Sequence, residues 1–217
     1  MMKLPCNDQN NEKRMMYMSQ LILASSSPRR KELLEQVHIP FQTRKQDADE
    51  SSLPFYNPRA YVQALAELKN RTVNLQEHNE VILSADTIVS YEGKVLGKPQ
   101  SADEAYEMLS MLSGAQHEVY TGVMLRSSEQ ESFIVEKTTV EFWPLTKDEI
   151  EYYIETGDPF DKAGGYGIQT YGATLVKGIK GDYNNVVGLP LSRVVRSLQA
   201  YGVYPSLPEL ENERTGN

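Results

Sequence analysis

The chain has 217 residues, 40% hydrophobic and 24% charged, the composition of a folded protein able to bury its own core. Its formal net charge of −8 excludes a coat for nucleic-acid polymers, which need a basic footprint. One cysteine, Cys6, excludes an internal disulfide and a cysteine-built zinc site, and no apolar run approaches the ~20 residues of a membrane span.

Residues 1–20 are polar, lack the apolar stretch of a secretory signal, and are expected to form a disordered extension ahead of a cytoplasmic domain. Met15, Met16 and Met18 offer alternative translation starts. Residues 21–24 are predicted as a buried strand, followed by a serine turn and a helix over 28–37. Ser27 stands at the N-cap and Pro28 at the first helical position, and Leu33, Leu34 and Val37 give the helix an apolar stripe. Arg29 and Arg30 fall in the first turn, where the helix dipole disfavours cations. An anion between them would remove that conflict, because free N–H groups, serine hydroxyls and guanidinium forks together make a phosphate cradle. The same residues also fit an ordinary strand-to-helix turn with solvated arginines.

A strand at 41–44 precedes the acidic run Asp47-Ala48-Asp49-Glu50, and Pro58 opens a second helix with Val62, Leu65 and Lys69 near helical spacing. The apolar strand 81–83 is expected to end at Ser84-Ala85-Asp86-Thr87, with 88–91 and 94–96 forming a hairpin around Glu92-Gly93. Ser101 caps a helix over 102–112 that Ser113-Gly114 closes, and 118–126 and 133–142 read as long antiparallel strands. Thr146 caps a helix over 147–155 that stops at Gly157. A strand at 174–177 and a helix at 192–201 complete one domain over 21–203, and 204–217 is a polar tail. Strands and helices mixed with hairpins predict an α/β fold on a mixed sheet.

Asp86, at the predicted carboxyl end of a buried strand, stands where metal ligands and general bases often occur, and where plain turn residues occur too. Lys69 on its helix and Lys98 in Gly97-Lys98-Pro99 either line a site or sit solvated. Within 157–169 the paired glycines let backbone approach a ligand, Tyr166 offers a ring, and Gln169 can read a base edge with one donor and one acceptor. A flexible connector is the plainer reading of that run. The segment 181–190 reads as a turn that locks a helix against the sheet. His38, His78 and His117 lack ligand spacing, and no Walker-type or dinucleotide-binding loop is present.

Six runs, in this order, resemble the Maf family of nucleoside triphosphate pyrophosphatases. They are Leu-Ala-Ser-Ser-Ser-Pro-Arg-Arg at 23–30, Ala-Asp-Thr at 85–87, Gly-Lys-Pro at 97–99, Asp-Lys-Ala-Gly-Gly-Tyr-Gly-Ile-Gln at 161–169, Gly-Asp-Tyr at 181–183 and Gly-Leu-Pro at 188–190. The resemblance implies the fold of inosine triphosphate pyrophosphatases, an elongated mixed sheet flanked by helices with two lobes around a cleft. It also implies a homodimer that hydrolyses a nucleoside triphosphate to the monophosphate and pyrophosphate with a divalent cation, Mg²⁺ or alternatively Mn²⁺.

Position by position, the resemblance implies Asp86 as proton acceptor and metal ligand, with Glu50 as a second ligand. It puts Ser25, Arg29 and Arg30 in the phosphate-facing turn, and Lys69, Lys98, Asp161 and Lys162 among the substrate-binding positions. Arg29, Thr87 and Gln169 are similar to the specificity positions of the subgroup acting on dTTP and UTP. The competing expectation is a nucleotide-binding regulatory protein acting in cell division through a protein partner. A sugar-nucleotide transferase is a third, marked by dependence on a second substrate.

Overall fold

The computed structural model describes residues 19–206. Cys6, the alternative starts and nearly all of the expected extension and tail lie outside the described residues. Among these residues, seven strands form one mixed sheet. β1 (Gln20–Leu23) runs parallel to both its neighbours, β2 (Phe41–Thr43) and β3 (Glu80–Tyr91). β4 (Lys94–Leu96) folds back on β3 as the expected hairpin. From β3 the sheet continues antiparallel through β5 (Gln116–Arg126), β6 (Glu131–Phe142) and β7 (Val176–Lys180).

Six helices flank the sheet among the described residues: α1 (Pro28–Gln36), α2 (Pro58–Arg71), α3 (Ala102–Leu112), α4 (Lys147–Glu155), α5 (Tyr183–Val187) and α6 (Leu191–Gln199). The alternation of β3 distributes the core. Val81, Leu83 and Ala85 enter a cluster with Leu33 and Leu34 of α1 and Val194 and Leu198 of α6. Farther along the strand, Val89 enters a separate cluster with Leu109 and Leu112 of α3 and Ile150 and Tyr153 of α4. Ile88 faces the other way and packs on Val62 and Leu65 of α2.

Local signals place α3 and α4 where the sequence predicts them. Ser101 caps α3 by accepting from the Glu104 N–H, and Thr146 and Glu149 form a reciprocal capping box on α4. Three expectations need correction. Residues 81–83 and 88–91 are not separate strands: Ser84-Ala85-Asp86-Thr87 lies inside β3, paired throughout with β5. Asp86 is therefore mid-strand, opposite Gly122. The small and polar residues interrupt the apolar run but not the ladder, because backbone pairing is indifferent to them. The strand expected at 174–177 begins at Val176, since Tyr171–Leu175 winds into a 3₁₀ turn. Ser27 occupies the N-cap of α1 without a side-chain cap bond; instead its N–H donates to Ser25 Oγ at 3.2 Å.

Candidate active site

The pairing of β3 leaves a gap on one edge. β1 accompanies it only as far as Leu83, and β4 rejoins it at Val89. Between those points, side chains from both faces of β3 can reach one space, and Asp86 and Thr87 both line a cleft of about 740 Å³ there. The serine turn, Lys98, the segment 161–170 and Gly188 supply the other walls.

The charged residues are brought together from several elements, with Arg29 and Arg30 on α1, Lys69 on α2 and Asp86 on β3. Gly122 on β5 has no side chain, so α2 approaches closely; a Cβ there would lie 2.4 Å from the Val62 carbonyl oxygen. That approach brings Lys69 onto Asp86. Its ammonium bonds to Asp86 Oδ1 and lies 2.8 Å from Glu50 Oε1, with the Lys69 and Asp86 side chains only 11% and 13% exposed. Ser84, on the same strand face, donates to the Ala66 carbonyl of α2 at 2.7 Å and fixes the register of helix on sheet.

Arg30 is tied down by neutral oxygens. Its Nε donates to the Gly188 carbonyl at 2.9 Å, Nη1 to Ser25 Oγ at 3.2 Å and Nη2 to Thr87 Oγ1 at 3.1 Å. Burial pushes this guanidinium below its usual range, and the nearby Asp86 charge partly offsets that. Thr87 Oγ1 also meets Thr121 Oγ1 at 2.9 Å, and Thr121 donates to the Asn185 carbonyl at 3.0 Å. The segment 181–190 is thus the locking turn read from sequence: Asp182 caps α5, and Asn185 donates to Val119 O and Thr138 Oγ1 at 3.0 Å each. It has a second task the sequence reading missed, presenting Gly188 O to Arg30.

On the opposite wall Asp161 bridges two cations, accepting from Arg29 Nη1 at 3.0 Å and Lys162 Nζ at 2.7 Å. Burial raises the pKa of its carboxyl, but the bonds from Lys162 and Arg29 outweigh it and hold the group below the usual range. The turn Gly97-Lys98-Pro99 is fastened by the Gly164 N–H donating to Gly97 O at 2.9 Å, and the exposed Lys98 lines the cleft without an ion pair to a described residue. Tyr166 is buried under the loop, its hydroxyl 2.7 Å from His117 Nε2, and Gln169 is exposed at the rim. The sequence does not mark His117, whose partner Tyr166 lies 49 positions away, nor Tyr153 and Asp158, which bond each other five positions apart, because nothing in the residue types signals those bonds.

Glu50, Asp86 and Asp161 of the cleft are each engaged by a cation, whereas Arg30 and Lys98 lack a carboxylate bond among the described residues. An arrangement of this kind can take up a polyanion. No group of three or more His, Cys, Asp or Glu side chains forms a cation cage among the described residues. Two hard carboxylate donors, Glu50 and Asp86, do converge on one cation, the Lys69 ammonium. That donor set fits an ion such as Mg²⁺, which is commonly held by one or two carboxylates together with substrate phosphates. No helix among the described residues is long and apolar enough to cross a membrane.

The family model described as Maf-like protein matches residues 20–201. The chain is 55% identical over 185 residues to the dTTP/UTP pyrophosphatase of Halalkalibacterium halodurans, covering 85% of this chain and 97% of that protein. It is 51% identical over 185 residues to the dTTP/UTP pyrophosphatase of a Geobacillus species, covering 85% of this chain and all of that one. It is also 50% identical over 188 residues to the protein of that name from Symbiobacterium thermophilum, covering 87% and 96%.

Proposed function

This chain belongs to the Maf family, and we propose that it is a hydrolase of nucleotide metabolism that converts dTTP and UTP to their monophosphates and pyrophosphate. The observation that carries the proposal is Arg30, a partly buried guanidinium whose bonds to described residues all go to neutral oxygens, lining one cleft with Lys98, which has no ion pair among the described residues. A triphosphate supplies the charge those cations lack. The finer fold reading, two lobes around a cleft like that of inosine triphosphate pyrophosphatases, belongs to the same proposal and is supported by separate cores at the two ends of β3.

Water attacks the α-phosphorus. Its oxygen forms the new bond to phosphorus, the bond from the α-phosphorus to the bridging oxygen breaks, and pyrophosphate leaves with the electron pair. Asp86 orients the water and takes its proton. Arg29, Arg30, Lys98 and Lys162 face the charge that grows on the leaving group, so they bind the transition state more tightly than the ground state. Ser25 holds Arg30 Nη1, and Thr87 holds Nη2, so both act on the substrate through that guanidinium. Asp161 keeps Arg29 and Lys162 in place. The Gln169 amide matches the N–H and carbonyl of a uracil or thymine edge, and a wrong base leaves polar groups unpaired. A divalent cation, Mg²⁺ or Mn²⁺, would be held by Asp86 and Glu50, with Lys69 released toward the phosphates, and would neutralise triphosphate charge.

The test is pyrophosphate release from a panel of triphosphates with Mg²⁺, wild type beside Asp86→Asn. The expected result is release from dTTP and UTP, reduced at least ~10²-fold in the variant, the usual scale for a general base. Binding without release from any nucleotide would indicate a regulatory nucleotide-binding protein, and release only with a second substrate would indicate a transferase.

A further inference from the structure

The segment that carries Gln169 is fastened from behind by Tyr153 and Asp158, which do not line the cleft. Tyr153 of α4 is fully buried; its hydroxyl accepts from the Gly167 N–H at 3.0 Å and donates to Asp158 Oδ2 at 2.6 Å. Thr170 Oγ1 donates to the same oxygen. The other oxygen, Asp158 Oδ1, accepts from Lys162 Nζ at 2.8 Å, and the Asp158 carbonyl accepts from it as well. Packing tightens the arrangement. A Cβ on Gly167 would lie 2.4 Å from Lys162 Cε, and one on Gly172 would lie 2.8 Å from Tyr153 Oη.

One carboxylate therefore holds both ends of the recognition apparatus. Its first oxygen holds the cleft-lining ammonium of Lys162, and its second anchors the segment 167–170. Burial works against its charge, but the bonds from Lys162, Thr170 and Tyr153 outweigh that and keep it ionised. Burial also pushes the Tyr153 hydroxyl well above its usual range, so it stays a donor.

We infer that Asp158 is a positioning residue that couples reading of the base to placement of the phosphate cation Lys162, with Tyr153 and Thr170 as the base-side links. The inference rests on the nucleotide reading above. A base that fits leaves the segment seated and Lys162 aimed at the phosphates. A base that does not fit displaces Gly167 and Thr170, leaves the Tyr153 and Asp158 groups short of partners, and loosens Lys162 with them. Selectivity is then expressed at the triphosphate as well as at the base.

The experiment is equilibrium binding to the full chain with Mg²⁺, using α,β-imido-dUTP, α,β-imido-dGTP and inorganic tripolyphosphate, which has no base. Wild type, Asp158→Asn and Thr170→Val are compared. Asp158→Asn is expected to weaken tripolyphosphate binding about tenfold and to cut the dUTP-to-dGTP affinity ratio by a similar factor, the scale of one charged hydrogen bond. Thr170→Val removes one base-side link to Asp158 and should cut the ratio and weaken tripolyphosphate binding together; a cut ratio with tripolyphosphate binding within about twofold of wild type, the margin of independent sites, would overturn the coupling.

If Asp158→Asn changes only one of the two quantities, the coupling is refuted. Should that variant not fold, Tyr153→Phe keeps the ring in its pocket and removes only the hydroxyl; an unchanged ratio there overturns the inference. Pyrophosphate release is measured separately. Wild type that binds with the expected ratios but releases none would overturn the hydrolase reading and still support the coupling.

Discussion

Acid should destabilise this protein through one buried imidazole. His117 on β5 is 1% exposed, sits edge-on to Phe142 and Tyr166 with ring centroids 4.9 and 5.3 Å away, and meets the Tyr166 hydroxyl at 2.7 Å. Its Nδ1 has no partner among the described residues. Burial disfavours the charged ring and lowers its pKa from 6.5 to about 4. Between those values the unfolded chain binds a proton that the folded chain refuses. The contribution is therefore fully present above pH 6.5 and is lost as the pH falls toward 4.

At about 1.4 kcal/mol per pH unit, that interval is worth about 3 kcal/mol, a large share of the ~5–15 kcal/mol that holds a typical domain together. Urea unfolding followed by circular dichroism, at intervals from pH 7.5 to 4.5, measures it. Wild type should lose about 3 kcal/mol more across the window than His117→Gln, which keeps a hydrogen-bonding end and does not titrate. Parallel curves within about 0.5 kcal/mol would refute the reasoning. The carboxyls of Asp158 and Asp161, held below the usual range, lose their contributions at lower pH still.

Three further outcomes are expected. Gly122→Ala should force α2 off the sheet, because its Cβ would meet the Val62 carbonyl at 2.4 Å; thermal unfolding should show about 1–3 kcal/mol lost, with turnover reduced because Lys69 rides on that helix, and an unchanged Tm would count against the close contact. Arg30→Lys cannot replace a fork that bonds Gly188, Ser25 and Thr87 at once; KM for dTTP should rise about tenfold or more, whereas a wild-type KM would remove Arg30 from the phosphate site. Gln169→Glu exchanges a donor for an acceptor at the cleft rim. It should reorder the rates with different bases more than it lowers their sum, and an unaltered order in the same release assay would exclude base reading by this residue.

What was legible in the sequence is what short-range chemistry decides. Ser101 and Thr146 each bond an N–H three residues ahead, so α3 and α4 could be bounded without knowing the fold. Gly157, at φ 75°, ends the second of them as expected, since a side chain would be strained there. The serine turn can be singled out because two arginines follow it in the first turn of a helix, where the dipole disfavours cations, and the run 157–169 because Asp, Lys, Gly and Gln are dense in it.

The site itself needed contacts far apart in the chain. Asp86 was expected at a strand end, yet it lies inside β3; what makes it accessible is that β1 stops at Leu23 and β4 joins only from Val89. The relative lengths of three strands open that gap, and no local pattern encodes them. Lys69 could be read only as a surface or cleft cation until Gly122, more than fifty positions later, allowed α2 to close on the sheet and bring Lys69 to Asp86 and Glu50. Arg30 likewise depends on a carbonyl 158 positions away, at Gly188. Hydrogen-bonding caps and turns act within a few residues and are written in the sequence. The charge pairing and the cleft depend on which backbones pack against each other, and only the tertiary structure decided that.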